Sequence, residues 1–154
     1  MGLEIERKYL VINDTYKTSA IRSIEISQAY LSDNPDCTVR VRVSGERGYI
    51  TVKSRNDGAV RHEWEYAVPA GDAAEMTRIA VSGCIAKTRY IVPFASHTWE
   101  VDVFHGALDG LVVAEIELGS ADETFELPDF VGKEVTGDAR YYNSALVHAT
   151  EPPR

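Results

Sequence analysis

Pairs of like charge recur in this chain at a spacing of two. Glu4 and Glu6 are followed at the same step by Lys8, and Glu63 with Glu65, Glu100 with Asp102, and Glu115 with Glu117 repeat the acidic pair. Arg40 with Arg42, Lys53 with Arg55, and Lys87 with Arg89 are the basic counterparts. In an extended strand, residues two apart share a face. Each pair therefore sets like charges side by side, with apolar residues behind them. Val39, Val41 and Val43 back the arginines, and Trp99, Val101 and Val103 back Glu100 and Asp102. Clustered carboxylates suit a hard cation such as Mg2+ or Mn2+, which takes oxygen ligands in an octahedron. Clustered guanidinium and ammonium groups suit anions, and arginine grips phosphate through two bonds at once. One cavity holding both sets would suit a metal–polyphosphate complex.

The elements that must carry these pairs are short and alternating. They span Leu3–Val11, Ile24–Leu31, Thr38–Ser44, Tyr49–Arg55, Arg61–Val68, Ile85–Val92, Thr98–Phe104 and Leu111–Leu118. Most are rich in β-branched or aromatic residues. "SGERGY" and "RNDGAV" read as turns with glycines available for positive φ. The sheet is therefore expected to be a mostly antiparallel meander. "GDAAEMTRIAVSG" reads as a helix with Asp72 and Glu75 as a capping box and Met76, Ile79 and Ala80 as its buried stripe. "TGDARYYNSALVHA" reads as a helix capped by Asp138, with Tyr142, Ala145, Leu146 and Ala149 on one face. A short helix is expected after Asn13-Asp14, and residues 120–133 read as a helical turn and loop. The whole is an α+β class domain spanning 1–154.

A charged sheet face normally points at water, and that reading is open here, as is a protein-binding surface. Two features favour an enclosed face. Signs are segregated by strand, whereas a surface serving solubility intersperses them. The apolar side carries both tryptophans and could lie under the helices. An apolar face turned outward under helices leaves the charged face inside an eight-stranded barrel. Such an interior is unfavourable unless something binds there.

Composition sets further bounds. The chain has 154 residues and a net charge of −8, so a broad footprint for nucleic acid is not expected. No apolar run approaches the roughly 20 residues of a membrane span, and acids stand where a signal peptide would be apolar. Cys37 and Cys84 lack a CxxC or a histidine-rich partner and read as reduced packing residues of a cytoplasmic protein. There is no G-x-x-x-x-G-K-[ST] loop and no G-x-S-x-G, so phosphate would be held by side chains. His62, His97, His105 and His148 are scattered, and Trp64, Tyr66 and Trp99 read as core under helices.

The opening E-x-E-x-K, "LEIERKYLV", resembles the signature of the CYTH family, the triphosphate tunnel metalloenzymes. "SQAYL", "VRVR", "YITVKSR", "RHEWEY", "AKTRYIV", "WEVDVF", "AEIEL" and "EVTGDARYYN" follow in that family's order. The resemblance covers nearly the whole chain, and its length is similar to that of the small bacterial members. It implies an eight-stranded antiparallel tunnel with a charged interior and helices packed outside. It further implies that Glu4, Glu6, Glu63, Glu65, Asp102, Glu115 and Glu117 form the metal-binding acidic set. Arg40, Arg42, Lys53, Lys87 and Arg89 become the phosphate clamp, and Lys8 with Tyr30 the catalytic pair. Arg55, Arg61, Glu100 and Arg140 read equally as rim or structural residues.

The resemblance thus implies a divalent-metal-dependent hydrolase of linear triphosphates using Mg2+ or Mn2+, with inorganic tripolyphosphate as the expected substrate. Thiamine triphosphatase or class IV-type adenylate cyclase chemistry is the alternative within the family, and a polyphosphate- or nucleotide-binding module the alternative outside enzymology. Strand parity puts few aromatics inside, namely Tyr30, Tyr49 and Phe104, which favours a bare polyphosphate over a ring-bearing one. The expected partner is a small-molecule triphosphate, with no nucleic acid and no membrane, and a homodimer is left open.

Overall fold

The alternating segments form strands, and their parity decides which side chains meet. The computed structural model describes residues 2–154. Its strands are β1 (Glu4–Val11), β2 (Arg22–Asn34), β3 (Cys37–Ser44), β4 (Arg47–Ser54), β5 (Val60–Arg61), β6 (Glu63–Val68), β7 (Ile85–Phe94), β8 (His97–Phe104), β9 (Val112–Glu117) and β10 (Val131–Glu134). Three short helices are added: α1 (Tyr16–Ser19), α2 (Ala70–Met76) and α3 (Asn143–Leu146). Eight strands follow one another in the order β1-β9-β8-β7-β2-β3-β4-β6, and every pairing is antiparallel. β1 and β6 do not ladder with each other. The corner between β5 and β6 joins them: Glu4 pairs with Arg61, Ile5 with Val60, and Glu63 N donates to Gly2 O at 3.2 Å. The charged face lies inside this tunnel-like barrel.

The outer face is apolar, as the parity requires. Tyr9, Trp99, Val101 and Ile116 pack there with Tyr16 of α1 and with Phe130 from the segment ahead of β10. Ala29, Val41 and Ala73 form a smaller cluster under α2. Gly48 is required at that contact, because a Cβ there would lie 2.9 Å from the Ala73 Cβ. The inner face is charged along only part of its length. Beyond Lys87 and Asp102 the inward residues become Ile85, Phe104, Leu111 and Val113. They pack with Val135, Tyr141 and Leu146 from the C-terminal segment. One end of the barrel is thus filled with apolar side chains.

Several local expectations are corrected. Residues 120–133 contain the start of β10, which pairs with the end of β1. That strand is short and broken in register, so periodicity does not reveal it. Helix α2 has no side-chain cap; it begins after Pro69, whose fixed φ of −55° and carbonyl, accepting from Ala73 N, start the turn instead. Asp72 lies inside the first turn, where it still favours the helix dipole. Tightening to a 3-10 turn at Thr77–Ile79 rotates Ile79 out to solvent. Asp138 caps a 3-10 turn at Ala139–Tyr141, so Tyr141 rather than Tyr142 is buried beside Leu146, and Ala145 is exposed. Trp99 is fully buried as expected, but Trp64 and Tyr66 on β6 are exposed because no helix covers that strand. Both cysteines are free and exposed rather than packed. Among the described residues no helix is long and apolar enough to cross a membrane.

Candidate active site

Register assembles the site. Glu6 stands opposite Glu117 and Lys8 opposite Glu115 on β1 and β9, and Glu100 stands opposite Glu115 on β8. Across the barrel, Arg42 pairs with Gln28 on β2, Arg40 with Thr51 on β4, and Lys53 with Glu63 on β6. These strands enclose a cavity of about 160 Å3 whose exposed wall is wholly polar. Glu4, Glu6, Glu115 and Glu117 line it with Glu63, Glu65 and Glu100. Arg40, Arg42, Lys53, Arg61 and Arg89 supply its bases, and Asn143 of α3 its one neutral residue.

Acids and bases pair across this space. Glu4 accepts from Lys53 Nζ and from Arg61 Nε, each at 3.1 Å. Lys53 also stands 3.4 Å from Glu63. Thr51 Oγ1 donates to Glu65 at 3.0 Å and accepts from Arg40 Nη2 at 3.2 Å. Arg42 donates through Nε to the buried Gln28 Oε1 at 2.9 Å. Arg89 grips Asp102 through two bonds of 2.7 and 2.9 Å and reaches Glu100 at 3.3 Å. Lys87 lies 2.7 Å from Asp102, and both are fully buried. Neither lines the cavity.

Lys8 donates to Tyr141 O at 3.0 Å, stands 4.0 Å from Glu115, and borders an adjoining recess with Glu4, Glu6 and Tyr142. Tyr30 is buried on β2 opposite Arg40, and no hydrogen bond joins it to Lys8. Of the residues with two readings, Arg61 and Glu100 line the cavity. Arg55 pairs with Asp36 at the surface, and Arg140 with Asp138. Sequence reasoning missed Gln28, Thr51 and Asn143 because it looked for charge. Inward parity with Tyr30 and Lys53 was the available signal for the first two.

The charges do not balance locally. Burial, then Glu115 and Glu4, raise the Glu6 carboxyl well above its ordinary range. Burial and a hydrogen bond with Glu4 push Glu63 up to about 7, while Glu4 itself is lowered against burial by that bond and by Lys53 and Arg61. Burial, Glu4 and Glu100 raise Glu117. On the other wall, burial and the neighbouring Arg40 and Arg89 lower Arg42 to about 9. Excess carboxylate on β1 and β9, with Glu6 and Glu117 both raised, fits a divalent cation, which favours the ionised form of each. The donor set is all oxygen, as a hard cation needs. Among the described residues no three carboxylates converge on one point, Glu4 being turned to Lys53 and Arg61.

Known proteins resemble this chain in architecture and in sequence. An inorganic triphosphatase of Acetivibrio thermocellus is 46% identical over 148 residues, 96% of this chain and 94% of that protein. An inorganic triphosphatase of Nitrosomonas europaea is 33% identical, covering 93% of this chain and 95% of that protein. The crystal structure of an inorganic triphosphatase superposes with a TM-score of 0.65 at 31% identity, over 94% of this chain and 93% of that one. CYTH triphosphatases are metal-dependent in general. The CYTH domain model matches residues 2–143, and with these relatives it shows that the chain belongs to the CYTH family.

Proposed function

We propose that this chain is a divalent-metal-dependent hydrolase of linear triphosphates, with inorganic tripolyphosphate its preferred substrate. The observation that carries the reading is the polar cavity with carboxylates on β1 and β9 facing arginines on β3 and β7. The relatives named inorganic triphosphatase support it.

The chain's own residues divide the work. Arg40, Arg42, Lys53 and Arg89 bind and align the phosphates, since charge-assisted bonds are strong where water is excluded. Glu4, Glu6, Glu115 and Glu117, with Glu63 and Glu65 nearby, would hold Mg2+ or Mn2+. When bound, the cation supplies charge neutralisation on phosphate and activation of water. Lys8 stands beside Glu115, which supports a role for its ammonium in holding or moving a proton at the reacting phosphate. Tyr30 is paired with Arg40, which supports a role in shaping the phosphate site. No aromatic side chain lines the cavity among the described residues, and this favours a bare polyphosphate over a nucleotide or thiamine ester. The free thiols agree with a cytoplasmic enzyme.

A phosphate-release screen tests this. With Mg2+ or Mn2+, kcat/KM for tripolyphosphate should exceed that for ATP, GTP or thiamine triphosphate by at least about tenfold. Pyrophosphate should be poor. Cyclic AMP as the main product from ATP, or full activity in excess chelator, contradicts the proposal.

A further inference from the structure

Family resemblance groups Asp102 with the metal-binding acids and Lys87 with the phosphate-binding bases. Their surroundings argue for a different division of labour. Asp102 Oδ1 accepts from Arg89 Nε at 2.7 Å, and Oδ2 accepts from Arg89 Nη2 at 2.9 Å. Lys87 Nζ meets the same Oδ2 at 2.7 Å. Both carboxylate oxygens are therefore taken by cations, as those of Glu4 are by Lys53 and Arg61, but Glu4 lines the cavity whereas Asp102 is fully buried behind it. A divalent ion bonds carboxylate oxygen at about 2.0–2.6 Å. At Asp102 it would have to enter between a guanidinium and an ammonium, in an interior where like charges repel strongly. Lys87 is equally enclosed: its ammonium lies 5.3 Å from the Phe104 ring centroid at the edge of the apolar end of the barrel.

Arg89 differs from both in lining the cavity, where Nη1 meets Glu100 at 3.3 Å. A two-point bond on Nε and Nη2 fixes the plane of a guanidinium. It leaves the Nη1 end on the cavity side. Asp102 also supplies the counter-charge for a group of cations that includes Arg42.

We propose that Asp102 is a positioning residue that locks Arg89 in the plane needed to bind phosphate, and that Lys87 seals its carboxylate from any metal. The role rests on the triphosphatase reading, and it changes what each substitution should do. A lost metal ligand weakens metal binding. A lost positioning residue frees Arg89 to rotate, so substrate binding bears the ordering entropy and KM rises. It also acts only through Arg89, so its effect disappears when Arg89 is already gone.

The test uses Asp102→Asn combined with Lys87→Met, because removing Asp102 alone strands two buried cations whereas the pair preserves charge balance. Calorimetric titration of the metal-free chain with Mn2+ should give a dissociation constant within about twofold of wild type. KM for tripolyphosphate should rise about tenfold, and adding Arg89→Ala should cost less than about twofold beyond Arg89→Ala alone. Mn2+ affinity reduced tenfold or more, or losses that multiply in the triple variant, would overturn the assignment. A crystal of the wild-type chain soaked in Mn2+ reads the same question without substitution. Anomalous density within about 2.6 Å of an Asp102 oxygen rejects the proposal, and density elsewhere with Asp102 still bonded to Arg89 supports it. If the wild-type chain does not hydrolyse tripolyphosphate, the activity reading fails. Calorimetric binding of tripolyphosphate to the wild-type and variant chains then takes the place of KM.

Discussion

Stripping the chain of metal should make its stability fall between pH 5 and 7, the reverse of ordinary acid-labile behaviour. Two carboxyls drive this. Glu6 is raised well above the ordinary value by burial, Glu115 and Glu4, and Glu63 is raised by burial and its bond with Glu4. In the unfolded chain both would release their protons near pH 4.5. The folded chain holds them, so it binds more protons than the unfolded chain above that pH, and raising the pH favours unfolding. For Glu63, a rise from 4.5 to about 7 corresponds to at most about 3 kcal/mol. Its side chain is 22% exposed, so about 2 kcal/mol is expected once solvent is counted. Glu4 and Glu115 are lowered, so their stabilising charge is already complete at pH 5 and does not offset the trend. His97, raised by its bond to Glu123, adds a loss of the same sign as it deprotonates. Urea unfolding of the metal-free chain from pH 5 to 7 should therefore show stability falling as the pH rises. Millimolar Mg2+ or Mn2+ should raise stability more at pH 7 than at pH 5, because the cation binds deprotonated carboxylates. A metal-free stability that climbs steadily from pH 5 to 7 would refute the reasoning about Glu6 and Glu63.

Glu4→Gln and Glu117→Gln should each remove most triphosphatase activity with the fold retained by circular dichroism, since the amide keeps volume and loses charge. Arg40→Ala or Arg42→Ala should lower kcat/KM by about 2 kcal/mol in transition-state terms while melting temperature holds or rises, as a like-charge pair is relieved. The β7–β8 hairpin turns through Ala95 and Ser96 at φ of 46° and 70°, a conformation that suits an asparagine followed by a glycine. The double substitution Ala95→Asn with Ser96→Gly should stabilise the chain by about 1 kcal/mol in urea unfolding, with activity unchanged.

The inward face was legible because alternation has only two outcomes. Once Trp99 and Ile116 are assigned to the outside, Glu100 and Glu115 must lie inside. What parity cannot give is depth along the strand. Lys87 and Arg89 look equivalent in sequence, yet one is sealed and the other lines the cavity. The difference comes from Phe104 and Ile85, which begin the apolar end of the barrel beside Lys87. Gln28 carries no charge to flag it, though it orients Arg42. β10 escaped because four residues offer too few alternations to count. The exposed Trp64 and Tyr66 show the converse limit: residue type implied cover that no helix provides.

The apolar filling at one end of the barrel turns the channel into a blind alley. Ile85, Phe104 and Val113 from the strands, with Tyr141 and Leu146 from the C-terminal segment, obstruct passage there. A long polyphosphate could therefore insert one terminus but could not be threaded through. Degradation of such polymers would proceed from an end, and a cyclic phosphate would find no terminus to insert. On the proposed function, the mouth would set which molecules are admitted, and the floor how many phosphates are held at once.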